Sequence, residues 1–238
     1  MTSSASTVYV ALGDSISIDD YAGGQGRGGA SLLHANRDDD FPEWRGLDLV
    51  SGNPGATFVQ LATDGARAST LVDVQLPRLA ATGVEPTLVT VTIGGNDVLA
   101  AYGSARAARD AVERVGASLD LALTGLSGLL AEGGRMVVGT VYDPSDGTGD
   151  SARLGLPPWP DAVPLIAELN EKLRHIASVH GAAVAEIGRL FLGHGLLAGD
   201  PAQGQSRPAE RDLWFCNVIE PNAWGASGVR EAFWSAVH

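Results

Sequence analysis

Short apolar runs rich in β-branched residues alternate along this chain with stretches in which apolar residues return every three or four positions. Val8-Tyr9-Val10-Ala11-Leu12 reads as a buried strand that Gly13-Asp14 breaks, and Thr57-Phe58-Val59-Gln60-Leu61 reads as a second. Residues 87–93 form the clearest strand, residues 136–141 a fourth, and residues 182–187 a short fifth. Between them the period changes to that of helices. A helix of modest length runs through Gln75 and Leu79. A long one is capped by Ser104, carries Ala108, Ala111, Val112, Val115, Leu119, Ala122, Leu126 and Leu129 on one face, and ends at Gly133-Gly134. Asp161 opens another, with Leu165, Ile166, Leu169, Leu173 and Ile176 on one side and Gly181 at its close. Asn222 caps a last one through Ala226, Val229, Phe233 and Val237. Strands alternating with helices imply an α/β fold, a parallel sheet with helices on both faces.

Two long segments interrupt the alternation. Residues 16–55 are rich in Gly, Asp and Arg around Tyr21-Ala22-Gly23-Gly24-Gln25-Gly26-Arg27-Gly28-Gly29, and residues 30–36 fit a short helix. The glycines lack the Lys-Ser/Thr ending of a phosphate loop, so a wall or lid over a site is the expected role. Asp38-Asp39-Asp40 is expected to be a solvated, mutually repelling run. Phe41 and Trp44 are placed either to pack over the core or to line a pocket. Residues 142–160 form the second loop, with Asp143, Asp146 and Asp150 among prolines.

Composition narrows the function. The 238 residues, 45% of them hydrophobic, fit a single domain over residues 1–238. A net charge of −12 without any basic run argues against nucleic acid and anionic membrane surfaces as partners. Cys216 is the only cysteine, which excludes an intrachain disulfide and a cysteine-rich metal site, and it is expected to be a small buried hydrophobe. No apolar run is long enough to span a bilayer, and the polar residues 1–7 leave no room for a signal peptide, so a cytoplasmic location is expected. His175 and His180 fall in the last turns of a helix, where a cation suits the negative helix end.

Three strand ends carry the candidate chemistry: Gly13-Asp14-Ser15, Asp64-Gly65-Ala66 and Gly94-Gly95-Asn96-Asp97. Together they resemble the SGNH, or GDSL, hydrolase family. The resemblance implies a three-layer, flavodoxin-like fold with a five-stranded parallel sheet. It also implies an esterase or lipase-like acyl hydrolase that needs no cofactor and takes a small-molecule ester. By the same resemblance Ser15 is the nucleophile, and the backbone N–H groups of Ser15 and Gly65 with the Asn96 side-chain amide form the oxyanion hole. The chemistry suits these residue types: a serine oxygen attacking a carbonyl makes a tetrahedral oxyanion, and each preorganised donor aimed at it contributes about 3 kcal/mol.

The family's last block, Asp-x-x-His before Pro-Asn, falls here on Asn217-Val218-Ile219-Glu220-Pro221-Asn222. Asn217 thus stands where the orienting acid is expected and Glu220 where the base is expected. A carboxylate with a reference pKa of about 4.3 takes the serine proton less readily than an imidazole near 6.5, by about 3 kcal/mol before its surroundings act. Three alternatives follow. Glu220 is the base, with Asn217 holding its carboxylate; or His194, in Phe191-Leu192-Gly193-His194-Gly195, reaches Ser15, with His34 a remoter candidate; or hydrolysis is lost and the cleft of a catalytically inactive protein binds an acyl, sugar or peptide ligand.

Overall fold

The computed structural model describes residues 7–152, 155–198, 213–217 and 219–238. Five strands, β1 (Val8–Gly13), β2 (Thr57–Gln60), β3 (Leu88–Thr92), β4 (Arg135–Gly139) and β5 (Ala183–Ala185), form one parallel sheet in the order β2-β1-β3-β4-β5. The order reverses direction between β1 and β3, so the crevice of this doubly wound sheet opens beyond the carboxyl end of β1, where Ser15 follows. The strands are apolar on both faces because both faces are covered. In β1, Tyr9 and Ala11 point to one core, Val10 and Leu12 to the other, and none of the four is exposed.

The helices follow in chain order as α1 (Gly29–His34), α2 (Leu49–Gly52), α3 (Ala68–Thr70), α4 (Leu76–Thr82), α5 (Gly95–Leu99), α6 (Ala105–Ser127), α7 (Ala162–Val179), α8 (Ile187–Leu190) and α9 (Ala223–Val237). A π-helical turn, Leu71–Gln75, joins α3 to α4. On one face of the sheet the larger core takes Leu71 and Leu79, the α6 stripe of Val112, Val115 and Leu119, and Leu165, Leu169 and Leu173 of α7. On the other face Leu33 of α1, Ile187 of α8, and Val229 and Phe233 of α9 pack on Tyr9, Leu88 and Val137. The sheet is thus covered by helices on both sides.

The caps follow the sequence in two places and depart from it in two. Ser104 Oγ accepts from Ala107 N, and Asn222 Oδ1 accepts from both Trp224 N and Gly225 N. Asp161 stands at the N-cap of α7 in helical conformation and makes no side-chain cap bond. The long helix ends at Ser127 rather than Gly133-Gly134, and Leu129 and Leu130 still pack on the core from the turn that follows.

Charges in the first loop are also ordered differently. Instead of repelling one another, Asp40 pairs with Arg27 and Arg37, and Asp38 with Arg45. The arginines that flank the acidic run in sequence fold back onto it. Among the described residues no group of His, Cys, Asp and Glu side chains could hold a metal ion, and no helix is long and apolar enough to cross a membrane.

Candidate active site

Beyond the end of β1 the chain makes a turn that only glycine allows. Gly13 has φ of +116°, and a Cβ there would lie 1.9 Å from the Thr92 carbonyl oxygen of the neighbouring strand. The next residue, Asp14, donates its N–H to that same oxygen (2.9 Å) and accepts from Ile16 N with Oδ1 (3.2 Å), which starts a 3-10 turn, Ser15–Ser17. Ser17 Oγ meets Thr92 Oγ1 at 2.9 Å. Ser15 is held from both sides and remains largely buried at the wall of a cavity.

A side chain that sequence reasoning left unassigned fixes this strand end. Gln75, fully buried on the π-helical turn, accepts from Gly13 N (2.7 Å) and donates to Gly13 O (2.8 Å). Asn170 on α7 does the same for the end of β4, accepting from Val141 N (2.7 Å) and donating to Val141 O (2.8 Å). Each amide pairs with both backbone groups of one residue where a strand ends, and Gly13 O also accepts from Thr63 N (3.0 Å). The available signal was an amide interrupting an apolar helical stripe.

The cavity beside Ser15, about 100 Å³ in volume, is also lined by Asp14, Asn96, Tyr142 and Glu220. Gly94, with φ of +107°, turns the chain from β3 into α5, and Asn96 lies in the first turn of that helix. Its Nδ2 donates to Ala66 O (3.1 Å), which ties Asn96 to the residue after Gly65. Asp97 Oδ2 accepts from Ala68 N (3.0 Å) and makes a second tie between the same two turns. Gly65 has φ of +66°, and the space where its Cβ would be is open. The three turns singled out in the sequence therefore meet at one rim.

Glu220 arrives on a two-stranded antiparallel ribbon, β6 (Phe215–Cys216) with β7 (Glu220–Pro221), in which Cys216 pairs with Glu220. Asn222 fastens the ribbon by donating from Nδ2 to Leu213 O (2.8 Å), and Tyr142 Oη donates to Ile219 O (2.6 Å). Burial raises the Glu220 carboxyl above its ordinary value, while a hydrogen bond from the Ser15 hydroxyl works in the opposite direction by favouring the ionised form. Glu220 Oε2 is buried and has no hydrogen-bond partner among the described residues. Asn217 is exposed in the ribbon's turn at φ of +42°, and its carbonyl accepts from Ile219 N.

Asp14 is the other carboxyl on this wall. Burial pushes its pKa up to about 7, against the hydrogen bonds from Thr92 and Ile16, and the nearby Glu220 charge raises it further. Burial also raises Tyr142, Cys216 and Asp97. Tyr21 is raised chiefly by its hydrogen bond to Asp64 (3.1 Å). Cys216 is half-buried rather than a core residue, and its Sγ faces Tyr21 O at 3.5 Å.

His194 lies elsewhere. Its ring is fully buried and stacked on Trp214, with centroids 3.8 Å apart and planes 4° from parallel, and it does not line the cavity. Its segment is held by Asp146, whose carboxylate accepts from Gly193 N, Gly195 N and Leu197 N. His34 stacks on Phe58 with Nε2 3.2 Å from Ala56 O, His180 pairs with Asp120, and His175 is exposed. Of the two long loops, the second lines the cavity with several residues, including Ser145, Leu156 and Trp159, while the first contributes Ile16 alone. Phe41 and Trp44 instead hold the buried Arg230 guanidinium, at 5.0 and 4.0 Å from their ring centroids.

Known proteins share this fold. The chain aligns along 97% of its length, and along 100% of the other chain, with an extracellular lipase from Streptomyces rimosus at 25% identity and a TM-score of 0.66. A phospholipase A1 from Streptomyces albidoflavus is 23% identical over 98% of this chain and 100% of its own, with a TM-score of 0.59. An acetylxylan esterase from Geobacillus stearothermophilus shares the fold at 16% identity, over 100% of this chain and 96% of its own, with a TM-score of 0.67. No curated protein matches the chain. The model of the GDSL-like lipase/acylhydrolase family matches residues 11–226, a span that holds all three turns and the ribbon. The chain belongs to that family and is a serine hydrolase of its type.

Proposed function

We propose that the chain cleaves carboxylic esters through an acyl-enzyme on Ser15, with Glu220 as general base. The reading rests on one observation above the others: Glu220, and no histidine, shares the cavity wall with Ser15 and Asn96. In the first step the Ser15 oxygen attacks the ester carbonyl and Glu220 takes its proton. The backbone N–H groups of Ser15 and Gly65, and the Asn96 amide hydrogen that does not bind Ala66, stabilise the oxyanion. Collapse expels the alcohol, which takes the proton back from Glu220. Water, deprotonated by the same carboxylate, then attacks the acyl-enzyme, and the Ser15 oxygen leaves with the proton that Glu220 returns. Burial of Glu220 helps this exchange, because a raised carboxyl pKa narrows the gap to the proton it must accept.

A fluorophosphonate probe and a pH profile test the assignment. Wild-type protein is labelled and Ser15→Ala is not. Glu220→Gln lowers kcat by about 100-fold or more, while His194→Gln retains activity. An unlabelled wild type between pH 4 and 9, or activity lost in His194→Gln with its fold intact, overturns the proposal.

A further inference from the structure

Beside the reacting groups, the cavity wall is mainly apolar, with Val98, Tyr102, Leu156, Trp159, Ile166 and Ile219 interrupted by Ser145 and Ser151. The wall is firm on the loop side: Tyr102 Oη donates to Pro157 O, and the Tyr102 and Trp159 rings lie 4.8 Å apart. The charged residues that line the cavity among the described residues are Asp14, Asp143 and Glu220, all acidic. Asp143 is occupied locally, accepting from Ser145 N, Ser145 Oγ and Gly147 N. Asp64 adds to the same field from outside, since its charge acts on Glu220.

We propose that this cavity is the acyl site and that it selects an uncharged chain of about four to six carbons, rejecting acyl groups that carry a negative charge. The inference builds on the Ser15 chemistry above. The size follows from the volume: a cavity of ~150 Å³ lined by apolar side chains holds benzene, and this one is about 100 Å³ with an open mouth. The charge selection follows from burial. An anionic group on the chain leaves water for a wall whose charged residues, among those described, are the acids Asp14, Asp143 and Glu220.

The test uses the full chain and p-nitrophenyl esters from acetate to laurate, with the mono-p-nitrophenyl ester of glutaric acid as the anionic counterpart of the valerate. The expected kcat/KM peaks at butyrate to hexanoate and falls about tenfold by laurate. The glutarate ester is cleaved at least about tenfold less well than the valerate at low salt, and the gap narrows as salt is added. Ala162→Leu, which fills the cavity from the first turn of α7, lowers the hexanoate-to-acetate ratio about tenfold. A profile still rising at laurate, or equal rates for glutarate and valerate at low salt, overturns the proposal.

A binding readout keeps the acyl site separate from the chemistry. Saturation-transfer NMR on Ser15→Ala is expected to show contact with hexanamide, weakened by adding Ala162→Leu, and none with the anionic adipic acid monoamide. Those signals together with an unlabelled, inactive wild type would retain the acyl site and refute the Ser15–Glu220 mechanism. Absence of hexanamide contact would refute the acyl site.

Discussion

Replacing Asp14 by Asn offers a direct reading of the electrostatics beside Ser15. The carboxyl is buried where its charge is poorly solvated, and its pKa rises from 3.8 to about 7 on folding. The folded state therefore holds this proton more tightly than the unfolded chain does. Below pH 4 both states are protonated and the contribution to stability is complete. Between pH 4 and 7 the unfolded chain ionises first, so stability falls as pH rises, and above 7 the loss levels off at about 4 kcal/mol. Asn keeps the acceptor for Ile16 N and cannot ionise. Urea unfolding of both proteins from pH 4 to 8 measures the difference. Other raised carboxyls, Glu220, Asp97 and Asp146, are common to both proteins, and their slopes largely cancel. The expected outcome is that the variant gains on the wild type steadily over this range, by about 4 kcal/mol in all. A constant offset between the two curves would refute the argument.

Other perturbations bear on the same turn and on the catalytic rim. Gln75→Leu removes the partner of Gly13 N and one of the two donors to Gly13 O, and chemical denaturation is expected to show a loss of about 1 to 3 kcal/mol, with kcat falling alongside it. Gly13→Ala forces a methyl group onto Thr92 O in a backbone region that alanine avoids; soluble protein with normal activity would contradict the geometry. Asn96→Ala is expected to lower kcat about 100- to 1,000-fold with KM little changed, as loss of an oxyanion donor requires. A carboxylate base predicts a rate that rises as Glu220 loses its proton and then stays high through alkaline pH, because burial raises that pKa while the ionised form remains the active one. A profile unchanged in Glu220→Gln would eliminate it as the base.

The sheet was legible because its three central strands are buried on both faces and so spell continuous apolar, β-branched runs, as residues 88–92 do. The long amphipathic helix was equally plain in its apolar stripe, although its end was not. Leu129 and Leu130 continue to contact the core after the helix has stopped, so the periodic signal outlasts the structure. The strand-end turns were visible through their glycines. Less visible was what secures them, since Gln75 and Asn170 act across 62 and 29 residues of chain and no local pattern announces a partner at that distance. The ribbon that carries Glu220 has only two residues per strand, too few for any alternation to register. His194 looked eligible because its position follows β5 in sequence; the side chain turns instead onto Trp214.

The supports of Ser15 and of the cavity's outer wall are physically separate. Gly13 and Ser15 depend on Gln75 and on Thr92 of the neighbouring strand, whereas residues 157–159 depend on Tyr102. Changes at Leu156 or Trp159 can therefore accumulate without disturbing the reacting groups, so descendants of such a chain can drift from one ester to another while their bond-breaking apparatus stays put.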